Sequence, residues 1–335
     1  MKIHAFAALK PKGSLQPFDY DVKELGPKEV LIKVSHCGIC HSDVHLLDGD
    51  WGKDIFPLVP GHEVVGTVEK LGDEIKYWKK GQRVGVGWQC GSCFACEWCN
   101  KGEENLCSGS KATCRGHHGG FAERVVVDGR FAFPLPEELD SAKAAPLLCG
   151  GITVYSPLRR LGGAVPKRVG VVGIGGLGHF ALQFGRAMGH EVTAFSTSPA
   201  KEAEAQRLGA HRFVLTNDKK AMKAAKGSLD LIVSTVNVHQ DWNVFIDILR
   251  PNGTLCTVGA LPGDMSVSPT ALLVDQKSVA GSVIGGRPMI GEMLSFAGRH
   301  NVGAQAEIVP LSRVNEVIDK VRRGKARYRI VLACE

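Results

Sequence analysis

The 335-residue sequence has no run of about 18 uninterrupted apolar residues, so no membrane-spanning helix is expected. Its first ten residues, Met1 to Lys10, lack the apolar core of a secretory signal, and a cytoplasmic protein is the expectation. There is no internal repeat and no low-complexity segment, which sets aside solenoids and disordered tracts. A strong charge of one sign is also missing. Forty-one Lys and Arg against 34 Asp and Glu leave +7, and the densest basic stretch is only Lys320 to Arg329. Such a surface suits small anions and does not make a nucleic-acid footprint, so no nucleic-acid or membrane partner is expected.

Cysteine, by contrast, is plentiful at eleven residues. Without an export signal, a disulfide framework gives way to metal binding or redox chemistry. Cys90, Cys93, Cys96, Cys99 and Cys107 crowd one segment, Cys37 and Cys40 form an early pair, and Cys114, Cys149, Cys256 and Cys334 stand apart. Cys93, Cys96, Cys99 and Cys107 supply four thiolates close enough for a loop to fold around one tetrahedral zinc. With four protein ligands no position stays open for chemistry, so this site reads as structural. Cys90, Cys93, Cys96 and Cys99 are also evenly spaced and offer a competing register. The remote Cys107 is favoured, because the loop must return to close the tetrahedron.

The first half reads as β-rich. Glu29–Ser35, Glu63–Glu69, Gln82–Val86 and Phe121–Val127 are short apolar or alternating runs punctuated by Gly, Pro and Asp. After Gly150 six apolar runs appear: Arg168–Val172, Glu191–Phe195, Arg212–Leu215, Leu229–Val233, Thr254–Val258 and Ser278–Ile284. Helical patterns at Gly178–Met188, Ala200–Leu208 and Trp242–Leu249 fill several of the intervals. Strands alternating with helices imply an α/β class with a doubly wound parallel sheet. More helical pattern follows from Pro288 to Gly324, then a last strand, Tyr328–Leu332.

The first of the six runs leads into Gly173, Gly175, Gly176, Leu177 and Gly178 in the spacing G-x-G-x-x-G, followed by a helix. The first glycine permits the tight turn, the second lets a pyrophosphate approach the backbone, and the third allows helix and strand to pack closely. The helix N-terminus adds a partial positive charge for the anion. A carboxylate at the end of the next strand would mark an NAD site, and none occurs there. Instead Ser196, Thr197, Ser198 and Lys201 follow Phe195, and Glu202 is the first acid. Hydroxyls and an ammonium solvate a 2′-phosphate that a carboxylate would repel, so NADP(H) is the expected cofactor.

Cys40-His41-Ser42-Asp43, Gly61-His62-Glu63 and Cys149-Gly150-Gly151 are dispersed, and each alone has an ordinary reading. Two thiolates and an imidazole can hold zinc with one position open. Trp51, Trp88 and Phe121 flank these segments and are candidates for an apolar substrate wall, with core packing as the competing role. The adjacent His117 and His118 read as surface-loop residues rather than ligands.

Taken together, the chain resembles the zinc-dependent medium-chain alcohol dehydrogenases, in their cinnamyl-alcohol-dehydrogenase-like, NADP-preferring branch. The likeness rests on Cys37-Gly-Ile-Cys-His-Ser-Asp-Val-His45, Pro60-Gly-His-Glu-Val-Val-Gly66, the cysteine lobe, Gly119-Gly-Phe-Ala-Glu123, Leu148-Cys-Gly-Gly-Ile-Thr-Val154, the glycine-rich turn and Gly281-Ser-Val-Ile-Gly285. It implies a GroES-like catalytic domain from residues 1–149 and 287–335, with a Rossmann domain at 150–286 between them. It also implies two zinc ions per chain, the catalytic one on Cys40, His62 and Cys149. Glu63 would back or replace a ligand, and Asp43 would orient His62. Ser42 would take the alcohol proton and His45 would receive it through the nicotinamide ribose. His41 would approach the pyrophosphate, Thr153 the nicotinamide, and Val283 and Ile284 the substrate.

The implied activity is interconversion of primary alcohols and aldehydes, aromatic or aliphatic, with aldehyde reduction the expected direction under NADPH. Some residues depart from the family pattern. Ser42 stands where Thr is commoner, Glu202 where a base is usual, and Val283 where plant members carry a large aromatic; the loop from Ser108 to His118 is shorter than theirs. The competing readings are an NAD-dependent alcohol or polyol dehydrogenase, a zinc-free quinone reductase and a zinc-knuckle nucleic-acid-binding protein; the last leaves the glycine-rich βαβ unit unexplained. The sixth run of the parallel sheet reads as an edge, so a homodimer is expected, with a tetramer as the larger alternative.

Overall fold

The computed structural model describes residues 1–22, 24–52, 56–260 and 263–334. The chain divides into two compact units, Met1–Ile152 with Gly285–Glu335, and Thr153–Ile284. The first division falls inside the helix Gly150–Gly162.

The first unit is built on strand Glu29–Ile39, whose eleven residues are long enough to take two partners on one edge. Arg124–Asp128 pairs with Glu29 to Lys33, and Arg329–Ala333 pairs with His36 to Ile39, both antiparallel. On the other edge Glu63–Leu71 runs alongside, followed by Arg83–Val86 and Ala132–Pro134. Ala306–Pro310 closes the far side of the seven-stranded sheet. Val30, Leu31, Ile32, Val64, Val84, Phe121, Ile330 and Leu332 share one buried core. Each such side chain contributes about 1.5–3 kcal/mol on burial, so the C-terminal strand is held by the core as well as by its ladder.

A separate hairpin pairs Lys2–Ala7 with Gln16–Asp21 and was not among the strands expected from the sequence. Lys2–Ala7 alternates exposed and buried residues, whereas Gln16–Asp21, which contains Pro17, Asp19 and Asp21, buries none of its residues fully. The short helix His41–Asp48 also escaped pattern reading. It is set by its ends: the Asp43 carboxylate accepts from the Cys40 N–H at 2.9 Å, and Gly49 terminates it at φ +79°.

The second unit is a six-stranded parallel sheet. Its spatial order is Arg212–Leu215, Glu191–Ser196, Arg168–Val172, Leu229–Ser234, Leu249–Thr257 and Ser278–Gly281. The order reverses between Arg168–Val172 and Leu229–Ser234, and the crevice beyond the strand ends at such a switch point is where α/β sheets bind ligands. The sixth strand stops at Gly281, three residues earlier than the apolar run suggested, because Ser282 to Ile284 leave the ladder. Ser278–Gly281 is an edge, as expected.

Candidate active site and metal centres

The glycine-rich turn sits at that switch point. Gly173 has φ +86°, a left-handed backbone suited to glycine, and its N–H donates to Phe195 O at 3.0 Å. A Cβ on Gly178 would fall 1.9 Å from Gly173 O, whereas one on Gly175 would meet nothing within 4 Å. The turn is therefore tight at both ends and open in the middle, the shape needed for an anion to reach backbone N–H groups at the start of helix Gly178–Ala187. Gly176 and Leu177 lie half-buried between them.

The strand Glu191–Ser196 ends beside this turn. The Ser196 hydroxyl accepts from Ser198 N–H at 3.2 Å, and Lys201 Nζ donates to Ile174 O at 2.6 Å, so the ammonium is drawn onto the glycine turn itself. Ser196 is buried, Ser198 half-buried and Thr197 exposed. Glu202 is exposed and opens the next helix. Thr153 lies buried in the first turns of Gly150–Gly162, and Val283 and Ile284 are the last residues of the same unit, Val283 exposed and Ile284 buried.

In the first unit the dispersed ligand candidates come together. Cys40 closes strand Glu29–Ile39 and caps the following helix, His62 and Glu63 open strand Glu63–Leu71, and Cys149 ends the turn Ala145–Leu148. One ligand atom from each of these four buried residues lies within 4.8 Å of all the others. Cys40 Sγ and Cys149 Sγ are 3.9 Å apart. Asp43, fully buried, accepts from Cys40 N–H and Gly61 N–H at 2.9 Å each, and stands 3.0 Å from His62 Nδ1. An ionised carboxylate can only accept, so Nδ1 carries the ring proton and the lone pair is on Nε2. Nε2 is buried and has no hydrogen-bond partner. A buried imidazole lone pair beside two thiols fits a zinc ion with two sulfur ligands and one nitrogen ligand.

The electrostatics agree with a cation there. The Cys149 thiol, donating towards Cys40, holds Cys40 well below the ordinary thiol range, while the same neighbour and burial push Cys149 well above it. Two adjacent sulfurs cannot both ionise in a dry site unless a positive charge joins them. Burial pushes the Glu63 carboxyl up to about 8 despite the cation beside it. That cation is Arg329, whose Nη2 lies 2.5 and 2.7 Å from the two Glu63 oxygens and donates to Ile39 O at 3.1 Å. Arg329 was not among the sequence candidates. It lies 266 residues from Glu63 in a short apolar strand, and only the sheet register brings the two together.

Ser42 Oγ stands 3.6 Å from Cys40 Sγ. His45 Nδ1 bonds Asp50 Oδ2 at 2.7 Å, and its ring lies 5.2 Å from His41 and 5.3 Å from Trp51. His41 opens its helix half-buried, and burial lowers its imidazole below the usual range. Trp88 meets His62 edge-on at 4.9 Å and Trp51 at 5.9 Å, so two indoles stand near that imidazole. Arg115 donates to Trp51 O at 2.6 Å. Phe121 differs from expectation: it is fully buried in the first unit's core beneath Gly61, and is not an open substrate wall. Cys114, also buried, lies 3.7 Å from His62 Nδ1 on the Asp43 side.

The cysteine lobe gathers Cys93, Cys96, Cys99 and Cys107 with all four sulfurs within 4.8 Å of one another. Cys93 Sγ is 3.8 Å from Cys99 and 3.4 Å from Cys107. It accepts from the backbone N–H groups of Ala95 and Cys96, which bring its thiol down to about 6. Cys90 points elsewhere, to Ala112 O at 3.4 Å, and burial pushes it up to about 12. The converging set therefore includes Cys107 and leaves out Cys90, and four thiols gathered at one point fit a zinc ion. His117 and His118 are half-buried instead of exposed. The first donates to Thr113 O at 2.9 Å, and the second packs 4.1 Å from the Tyr20 ring.

A parallel sheet with a glycine-rich turn at its switch point, and a buried cluster of two thiols and an imidazole, are the features of a metal-dependent, dinucleotide-using dehydrogenase. Comparison with known proteins agrees. Residues 26–137 match the alcohol dehydrogenase GroES-like domain, and residues 176–299 match the zinc-binding dehydrogenase domain. Aldehyde reductase AdhA of Synechocystis sp. is 45% identical over 99% of this chain and 98% of its own length. A probable cinnamyl alcohol dehydrogenase 6 of Arabidopsis thaliana is 41% identical over 98% of this chain and 93% of its own. Among solved structures, a cinnamyl alcohol dehydrogenase of Sorghum bicolor superposes with TM-score 0.95 at 39% identity, covering 100% of this chain and 98% of that one. The Helicobacter pylori enzyme complexed with NADP(H) superposes with TM-score 0.92 at 33% identity, with the same coverage. The chain belongs to the zinc-type medium-chain alcohol dehydrogenases, and it is an oxidoreductase with their GroES-like and Rossmann-like domains.

Proposed function

We propose that the protein is a zinc-dependent, NADP(H)-preferring enzyme that interconverts primary alcohols and aldehydes and serves chiefly as an aldehyde reductase. The observation that carries this is the buried set of Cys40, His62 and Cys149, with an unpartnered Nε2 where a metal ligand is needed. Cys40, His62 and Cys149 would hold the catalytic zinc, and Cys93, Cys96, Cys99 and Cys107 a structural one. Bound there, catalytic zinc supplies a Lewis acid for the substrate oxygen.

The chain's own residues supply the rest. Asp43 fixes the His62 tautomer, and Arg329 holds both Glu63 oxygens beside the cluster. Ser42 would pass a proton, a role that its 3.6 Å distance from Cys40 Sγ supports. His45 would carry that proton onward, because its Nδ1 partner Asp50 is half exposed and opens the route to water. Trp51 and Trp88 give the metal side an apolar, aromatic border suited to aryl and aliphatic aldehydes.

Ser196, Ser198 and Lys201 support NADP(H), with no carboxylate to oppose a 2′-phosphate and an ammonium drawn to the glycine turn. The relative named an aldehyde reductase and the neighbour complexed with NADP(H) point the same way. A homodimer is part of the reading. Edge strand Ser278–Gly281 exposes Val279, and Leu273 and Val274 nearby in sequence are 76% exposed, an apolar border that a second copy would cover. Among the described residues no helix is long and apolar enough to cross a membrane.

The test is kcat/KM for benzaldehyde with NADPH and with NADH on protein carrying its full zinc. A ratio above about 10 for NADPH is expected, since loss of a charged phosphate contact costs about 1.5–3 kcal/mol. A clear NADH preference would overturn the cofactor reading, and fewer than two zinc per chain would overturn the metal reading.

A further inference from the structure

Phe94, between the lobe residues Cys93 and Ala95, has φ +54°, a left-handed backbone that a bulky side chain holds only when its surroundings impose it. The conformation has a use. The next two N–H groups, of Ala95 and Cys96, donate to Cys93 Sγ at 3.5 and 3.4 Å, so the turn at Phe94 brings both donors onto one of the four converging thiols. Glycine would take this turn freely. The chain uses phenylalanine instead, and holds its ring from outside the lobe.

The Arg130 guanidinium carbon lies 3.3 Å from the centre of the Phe94 ring, and that of Arg287 lies 5.3 Å from it. Phe131 meets the same ring edge-on at 5.7 Å. Arg130 is itself fixed. Its Nε and Nη2 donate to Asp128 Oδ1 and Oδ2 at 2.9 and 2.6 Å, at the end of strand Arg124–Asp128, and its carbonyl accepts from Arg287 Nε at 2.8 Å. Arg287 in turn donates through Nη1 at 3.1 Å to the buried Glu104, in the loop between Cys99 and Cys107. A planar cation over a ring face is attractive in its own right. Every partner in this set belongs to the unit formed by Met1–Ile152 and Gly285–Glu335.

We propose that Arg130 is a positioning residue for the lobe metal. By clamping the Phe94 ring it keeps that backbone left-handed before an ion binds, so that the Ala95 and Cys96 N–H groups already face Cys93. The proposal rests on the reading of Cys93, Cys96, Cys99 and Cys107 as a zinc site, and goes beyond it in giving a residue outside the lobe a part in the strength of that site. Released from the clamp, Phe94 relaxes towards an ordinary backbone in the metal-free lobe, and the ion must restore the turn as it binds. The conformational cost of one such residue corresponds to about a ten-fold or greater weakening of zinc binding. The dependence on Arg130 must disappear when position 94 is glycine, which holds positive φ without help.

The experiment is competition for zinc between the full-length, zinc-loaded protein and a chromophoric chelator, in wild type, Arg130→Met, Phe94→Gly and the double variant. The lobe step is identified as the one missing from Cys107→Ser. Arg130→Met is expected to weaken the lobe zinc by about ten-fold or more and to leave the other zinc within about two-fold. Phe94→Gly is expected to hold zinc at least as well as the wild type, and Arg130→Met on that background to have no further effect. Equal losses from Arg130→Met on both backgrounds would overturn the proposal, since the guanidinium would then act without Phe94. So would an unchanged lobe affinity in the single variant. Phe94→Ala loses the ring and keeps a Cβ at positive φ; it is expected to match Arg130→Met and serves as the readout should that variant fail to fold. Lobe affinity in Phe94→Ala equal to that in Phe94→Gly would overturn the proposal there. Lobe zinc missing from the wild type, or retained in Cys107→Ser, would sink the reading of the site instead.

Discussion

Asp43 Oδ1 and His62 Nδ1 stand 3.0 Å apart with both side chains fully buried, and this contact decides which face of the imidazole is available to a metal. The same carboxylate satisfies the N–H groups of Cys40 and Gly61, so one acid orients the His62 ring and pins the backbone on either side of the cluster. Asp43→Ala strips both N–H groups of their acceptor in a dry interior, at about 1–3 kcal/mol each. It also frees His62 to choose the other tautomer. The expected outcome is a drop in melting temperature together with zinc affinity weaker by about 10–100-fold at the catalytic position. Thermal unfolding and competition with a chromophoric chelator measure the two. Unchanged catalytic-zinc affinity would show that the tautomer is set by something else.

The cysteine lobe allows a direct comparison of two neighbouring thiols. Cys107→Ser removes one of four converging sulfurs and is expected to leave one zinc per chain, with a lower melting temperature. Cys90→Ser alters a buried thiol that points at Ala112 O, and should keep two zinc. Elemental analysis of the two variants settles the register, and the reverse pattern would reassign the site to Cys90.

How much of this was legible beforehand depended on distance along the chain. The glycine-rich turn and the cysteine lobe are compact, with every element of their chemistry inside about fifteen residues, so spacing alone reveals them. Cys40, His62 and Cys149 are far apart, each with an ordinary reading of its own, and only their combination with the nucleotide fold and the family resemblance raises them. Arg329 and the Glu104–Arg287 contact left no pattern, because a buried ion pair between distant segments is created by strand register and helix placement. Phe121 went the other way: lying beside a motif made it look like a pocket residue, whereas the glycines around it leave room only for core packing. The short helix after Cys40 was hidden for a similar reason, since it is determined by its caps.

Lys201 connects the second strand of the parallel sheet to the glycine turn through its 2.6 Å bond to Ile174 O. If it meets a 2′-phosphate, Lys201→Ala should lower kcat/KM for NADPH by about ten-fold or more and leave that for NADH within about two-fold, since a charge-assisted contact contributes about 1.5–3 kcal/mol. Ser196→Asp places a carboxylate at the strand end and should move preference towards NADH. Equal losses with both cofactors would mean that Lys201 only supports the turn.

His190, in the Thr153–Ile284 unit, offers a pH dependence that involves none of the candidate metal ligands. It is buried, its Nδ1 accepts from Lys167 N–H at 3.1 Å, and burial together with the Lys167 charge lowers it below the ordinary 6.5. Protonation would put a second donor against the Lys167 N–H, so the fold favours the neutral ring. The sign then follows. Above pH 6.5 both folded and unfolded chains hold the ring neutral, and the full contribution is present. Below it the unfolded chain takes the proton first, so stability falls with pH until the depressed folded value is reached. His190→Gln has no titrating ring and should be less stable than the wild type at pH 7.5, with the difference narrowing by pH 5.5. Melting temperatures of both proteins across that range give the result, and parallel curves would mean that His190 takes its proton without cost in the fold.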